Sequence, residues 1–162
     1  MTTPVEPTTL VEVLRHHARQ YPDKLAYAFL PNGEIGTEIG VSFAELEQQA
    51  RTTAAHLLRV CEPGDRVLLL YPQGIDYVVG FLGCLYAGVI GVPIFPPRGK
   101  SVDMRIQVIA DDAQAHVALT TEQVRVNLKG FDHATRLVDL QWIASDALDP
   151  GLADTWREPD ID

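Results

Sequence analysis

Four consecutive apolar residues, Val67 to Leu70, constrain this chain more than any other feature. A strand that is apolar on both faces has to be covered on both, as the strands of a parallel sheet are by helices above and below. Pro63-Gly64-Asp65 makes a turn into that run, so a strand is expected over Arg66 to Tyr71. The segment that follows, Ile75 to Ala87, is apolar almost all round and reads as a buried helix, with Gly88 suited to its C-terminal stop. Val89 to Phe95 is the next expected strand. Strand, helix and strand in this order predict an α/β fold.

The flanking segments extend the pattern. Thr9 and Glu12 form a capping box ahead of a helix over Leu10 to Gln20, with Leu10, Val13, Leu14 and Ala18 on one face. Pro22-Asp23 ends it. Lys24 to Leu30 reads as a strand, Pro31-Asn32-Gly33 as a turn, and Glu38 to Val41 as the return strand of an antiparallel hairpin. Ser42 and Glu45 form a second capping box, with Val41 placed to staple onto Leu46. Further on, Ser101 can cap a helix through Asp112, and His116 to Leu119 reads as a short strand. Glu122 to Leu128 is expected as helix, Arg136 to Val138 as strand and Gln141 to Ala147 as helix. The end of the chain carries Pro150, Gly151 and Pro159 among acidic residues and reads as loop or linker.

Charge and cysteine usage narrow the function classes. Thirteen basic against 22 acidic residues give a net charge of −9, which repels nucleic-acid phosphates and anionic lipid heads. Cys61 and Cys84 lack a CxxC or His-rich setting, so neither a disulfide framework nor a zinc site is expected, and a reducing cytoplasm is the simplest location. Cys84 reads as a small core residue. Met1 to Pro7 has neither the basic nor the apolar region of a signal peptide. The apolar stretch from Ile75 to Ile94 is broken by Asp76, several glycines and Pro93, and reads as helix, stop and strand instead of a membrane span.

No complete catalytic constellation is present in these residues. Gly99-Lys100-Ser101 follows a strand and precedes a helix, but Ile94 stands where a phosphate loop needs glycine, and Pro96 and Pro97 remove two amides. Two readings of Arg98 and Lys100 stay open, a weak anion-friendly spot at a helix start and a solvated basic loop. His16 and His17 point about 100° apart on a helix, and His56, His116 and His133 have no metal-spaced partner. Ser42, Ser101 and Ser145 lie in no nucleophile elbow, and Asp111-Asp112 reads as an exposed final helical turn.

Three stretches carry a family resemblance. Val41-Ser42-Phe43-Ala44-Glu45-Leu46 resembles the first core motif of the AMP-forming acyl-activating superfamily. Pro63-Gly64-Asp65-Arg66-Val67 is similar to its GD-x-V segment. Leu85-Tyr86-Ala87-Gly88-Val89-Ile90-Gly91-Val92-Pro93 resembles its second core motif. Phe95-Pro96-Pro97-Arg98 and the pattern from Arg105 to Thr121 resemble the fatty acyl-AMP ligase branch most closely, and Pro159-Asp160-Ile161-Asp162 resembles the segment just ahead of the family's phosphate loop.

The resemblance implies a partial N-terminal domain of the AMP-forming ligase fold: a mostly parallel sheet flanked by helices, with an N-terminal antiparallel hairpin. Residues 1–7 are expected as a flexible N-terminus, 8–149 as part of that domain, and 150–162 as an acidic linker leading toward the phosphate loop. The implied parent reaction joins a fatty acid and ATP, with Mg²⁺, into acyl-AMP and pyrophosphate, and the acyl group then passes to a carrier protein. The chain alone is expected to bind no cofactor and to be inactive, with no catalytic residue and no metal ligand of its own. Its partner is the remainder of the ligase, through an apolar face that also favours self-association. Phe95, Pro96, Pro97 and Arg98 are the candidate substrate-binding residues, as a loop beyond the strand C-termini where ligands of open α/β sheets gather. Rival readings are an acyl-CoA ligase or peptide-synthetase adenylation fragment and, in another class, a non-catalytic doubly wound binding module.

Overall fold

A computed structural model of the chain describes residues 7–96, 104–128 and 139–160. Helix α1 (Leu10–Gln20) leads into an antiparallel pair, β1 (Leu25–Phe29) and β2 (Ile39–Ser42), and then α2 (Phe43–Leu57). Next come β3 (Arg66–Leu69), α3 (Ile75–Ala87), β4 (Ile90–Pro93), α4 (Met104–Ala113), β5 (Val117–Thr120), α5 (Glu122–Leu128) and β6 (Gln141–Ala144). The last four strands form one parallel sheet in the order β4-β3-β5-β6.

The apolar run does what its pattern requires. Val67, Leu69 and Tyr71 point into a core built with α2 and α3, whereas Leu68 and Leu70 point into a second core with Ile106 and Ala110 of α4. Burying both faces of Val67–Tyr71 removes five apolar or aromatic side chains from water, the main favourable term in assembling such a layer. Both capping boxes form. Thr9 Oγ1 accepts the Glu12 amide at 3.1 Å, and the Glu45 carboxylate accepts the Ser42 amide at 2.9 Å. The Ser42 amide and hydroxyl hold the Glu45 carboxyl below the usual carboxylate range. Val41 and Leu46 are both buried in the larger core, as a hydrophobic staple requires.

Two glycines owe their place to backbone conformation. Gly64 has φ +88° at the third position of the Glu62–Asp65 turn, where the Asp65 amide donates to the Glu62 carbonyl at 3.1 Å. Gly88, with φ +68°, is the left-handed stop of α3.

Two expectations are corrected. Gln141–Ala147 is not a helix: Gln141–Ala144 pairs with β5 in parallel, and Ser145–Ala147 is a 3-10 turn. A short apolar run cannot be told from helix by periodicity, and here the open edge of β5 wins. The stretch from Pro150, read as loop or linker, forms a 3-10 helix (Pro150–Thr155) packed on α2, followed by a buried Trp156. Its anchors are long-range and so invisible to local composition: Arg51 donates to the Ala153 carbonyl at 3.3 Å, and the Trp156 indole donates to the Tyr86 carbonyl at 3.0 Å. The expected Ser101 cap and the Arg136–Val138 strand lie outside the described residues.

Candidate functional site

An apolar cavity of about 350 Å³ opens at the C-terminal ends of β3 and β4. Its wall is Tyr71, Pro72, Gln73 and Gly74 after β3, Tyr77 on α3, and Pro93, Ile94 and Phe95 at the end of β4. The chain order explains the location. Parallel strands joined by a helix put all their exits on one edge of the sheet, and the exits of β3 and β4 lie side by side there.

Each wall residue is held for a local reason. The Tyr71 ring is buried against α3, where Gly80 leaves room for it: a Cβ there would lie 2.5 Å from the ring. The Tyr71 hydroxyl shares a 2.7 Å hydrogen bond with Ser145 Oγ, and burial pushes its pKa well above the usual phenol range. Thr120 Oγ1 donates to the Leu70 carbonyl at 2.7 Å, tying the exits of β5 and β3 together. Tyr77 stacks on Phe81 with ring centroids 6.4 Å apart. Gly74, with φ +152°, faces the Phe29 ring, which a Cβ there would meet at 3.9 Å, and β1 lies beside α3. Asp76 follows in the first turn of α3, its carboxyl raised above the usual range by burial and then by the nearby Asp146.

Phe95 is therefore part of a cavity wall, and it is 69% exposed, as a side chain at an open rim would be. Pro96 lies next to it, half-buried and outside the lining residues. Pro97 and Arg98 fall outside the described residues, as does the Gly99-Lys100-Ser101 spot. Sequence reasoning missed Tyr71, Gln73, Tyr77 and Ile94. The available signal was Tyr71-Pro72-Gln73-Gly74, a strand exit leading to a glycine directly before a helix.

The remaining chemistry-bearing residues are mostly accounted for. His17 Nδ1 lies 2.9 Å from the Val13 carbonyl and its ring packs 5.0 Å from Phe43. Asp111 and Asp112 are exposed at the end of α4. Both cysteines are free and buried. Burial holds the thiols protonated at neutral pH, Cys84 pushed up to about 12 and Cys61 to about 11, the latter with help from Asp65 and Glu62. Cys61 nevertheless meets Asp65 and His116 in space, a cluster that sequence spacing did not suggest. No described helix is long and apolar enough to cross a membrane.

An apolar, aromatic cavity on the exit edge of a parallel sheet fits many ligands, and relatives decide the family. Residues 14–159 match the model of the AMP-binding enzyme family. The chain belongs to that family. It is 36% identical over 159 residues to the medium-chain-fatty-acid–[acyl-carrier-protein] ligase JamA of Moorena producens, covering 95% of this chain and 27% of JamA. It is 34% identical to the long-chain-fatty-acid–AMP ligase FadD32 of Mycobacterium marinum, over 96% of this chain and 25% of FadD32. The chain thus spans about a quarter of the length of these curated relatives. Among solved structures, the fatty acyl-adenylate ligase from L. pneumophila, in complex with acyl adenylate and pyrophosphate, superposes with a TM-score of 0.83 at 30% identity. That match covers 96% of this chain and 26% of the ligase. Membership of this family decides against an unrelated doubly wound binding module. The family match and the α/β fold shared with the fatty acyl-adenylate ligase agree with the order of the chain's motifs.

Proposed function

We propose that this chain supplies the scaffold and part of the acyl-binding wall of an ATP-dependent fatty acid ligase. The parent enzyme converts a fatty acid and ATP to acyl-AMP and pyrophosphate, then passes the acyl group to a carrier protein. The observation that carries this reading is the apolar cavity between Tyr71, Tyr77 and Phe95, in a chain similar to fatty acid ligases. Relatives that act on carrier proteins, JamA and TtuA, support that acceptor.

The cavity suits hydrocarbon. Its wall is mostly apolar and aromatic, so burying an acyl chain against it is favourable by about 0.8 kcal/mol for each methylene. The same wall does not fit ATP or Mg²⁺. No cation lines it among the described residues, and a triphosphate calls for positive charge and converging amides. No step of adenylation is therefore assigned to these residues. Their work is to hold the acyl chain and exclude water beside it.

Phe95 offers the cleanest test, because an exposed side chain is removed at little cost to stability. In a ligase that carries this chain, Phe95→Ala is expected to change the ratio of kcat/KM for long against short fatty acids by about tenfold. Acyl-AMP formation measured across a chain-length series reads this directly. An unchanged ratio would remove Phe95 from the acyl site.

A further inference from the structure

At the opposite pole of the sheet, where β3 and β5 begin, three side chains from separate segments converge. Cys61 follows α2, Asp65 closes the turn into β3, and His116 immediately precedes β5. One ligand atom from each, the Cys61 sulfur, an Asp65 carboxylate oxygen and a His116 ring nitrogen, lie within 4.8 Å of one another. His116 Nε2 stands 3.9 Å from Asp65 Oδ2. A tetrahedral ion with bonds of about 2.0–2.3 Å holds its ligands about 3.3–3.7 Å apart, so closure needs shifts of roughly 1 Å.

We propose that Cys61, Asp65 and His116 form a binding site for a divalent cation of the zinc class, with a fourth position open to water. Sulfur, imidazole and carboxylate together favour zinc over magnesium or calcium, which take oxygen ligands. The backbone under the cluster is fixed. The Cys61 amide donates to the Leu57 carbonyl at 2.8 Å, and the parallel pairing of Val67 with Val117 holds the segments of Asp65 and His116 alongside one another. The Glu62 amide donates to Asp65 Oδ2 at 2.9 Å, the type of outer contact that orients a ligating carboxylate. His116 Nε2 is 3.4 Å from the Val60 carbonyl, so the imidazole already rests over the loop that carries Cys61.

On binding, a sulfur–metal bond replaces the Cys61 S–H bond and the proton leaves to solvent, with no change of oxidation state. The site lies on the edge away from the acyl cavity. Its role is to clamp the α2–β3 connection to the start of β5.

Cobalt(II) is the direct probe, because a thiolate ligand gives it a near-ultraviolet charge-transfer band. Titrating the 162-residue chain with Co²⁺ is expected to produce that band at one equivalent, and Zn²⁺ is expected to bleach it. Cys61→Ser abolishes the band, and Cys84→Ser keeps it. His116→Ala, a change at an exposed side chain that leaves the fold intact, weakens Co²⁺ binding by at least about tenfold. Zn²⁺ also raises the Tm of the unsubstituted chain but not of His116→Ala, since a ligand of the native state stabilises it by mass action. No band, a band that survives Cys61→Ser, or equal affinity in His116→Ala would overturn the proposal.

Discussion

Trp156→Ala is expected to destabilise the chain by about 3–5 kcal/mol, the range for truncating a buried tryptophan. The indole is 8% exposed, its ring centroid lies 5.3 Å from that of Tyr86, and its N–H donates to the Tyr86 carbonyl at 3.0 Å. The Arg15 guanidinium, paired with Glu158 at 2.9 Å, stands 5.3 Å over the ring, so the substitution also removes a cation–π contact. At the usual scaling for a chain of this size, Tm falls by roughly 10 °C. Chemical denaturation followed by circular dichroism measures the loss. Trp156→Phe, which keeps an aromatic ring and removes the N–H donor, should fall between the two. A change within about 0.5 kcal/mol for Trp156→Ala would mean that the segment is a solvated linker after all.

Gly83→Val should be comparably damaging for the opposite reason, overfilling. Gly83 is where α3 rests on α2: a Cβ there would lie 2.6 Å from Thr53 Cγ2 and 2.7 Å from Thr53 Cβ. Thr53 cannot swing away, because it is buried and its hydroxyl donates to the Gln49 carbonyl at 3.0 Å. The helices have to separate, and forcing extra methyl groups into such a contact costs about 1–3 kcal/mol, occasionally more. The same denaturation experiment reads it. Gly83→Ala gives a smaller loss of the same sign. Wild-type stability in the valine variant would show that the α2–α3 contact is looser than described.

Much of this fold was legible because its strongest signals are local. The capping boxes at Thr9 and Ser42, the Pro63-Gly64 turn and the Gly88 stop are each written in a few adjacent residues, and each forms as read. The apolar run at Val67–Leu70 even announces that two cores flank β3. What the residues hid depends on contacts across the chain. Nothing near Gln141 says that β5 offers it an open edge, and nothing near Trp156 says that Tyr86 offers it a carbonyl. The site divides in the same way. Phe95 was within reach because it follows a strand exit, whereas Tyr71 and Tyr77 join it only once α3 folds back over β3. Cys61, Asp65 and His116 lie on three segments that only the parallel sheet brings together.

Fatty-acid-dependent ATP–pyrophosphate exchange tests the proposed function most directly. It should be run on a ligase that carries this chain and on the 162-residue chain alone, with fatty acids and amino acids as carboxylate donors. Exchange is expected only from the longer enzyme and only with fatty acids. Exchange catalysed by the 162 residues alone, or exchange driven by amino acids with no response to fatty acids, would contradict it.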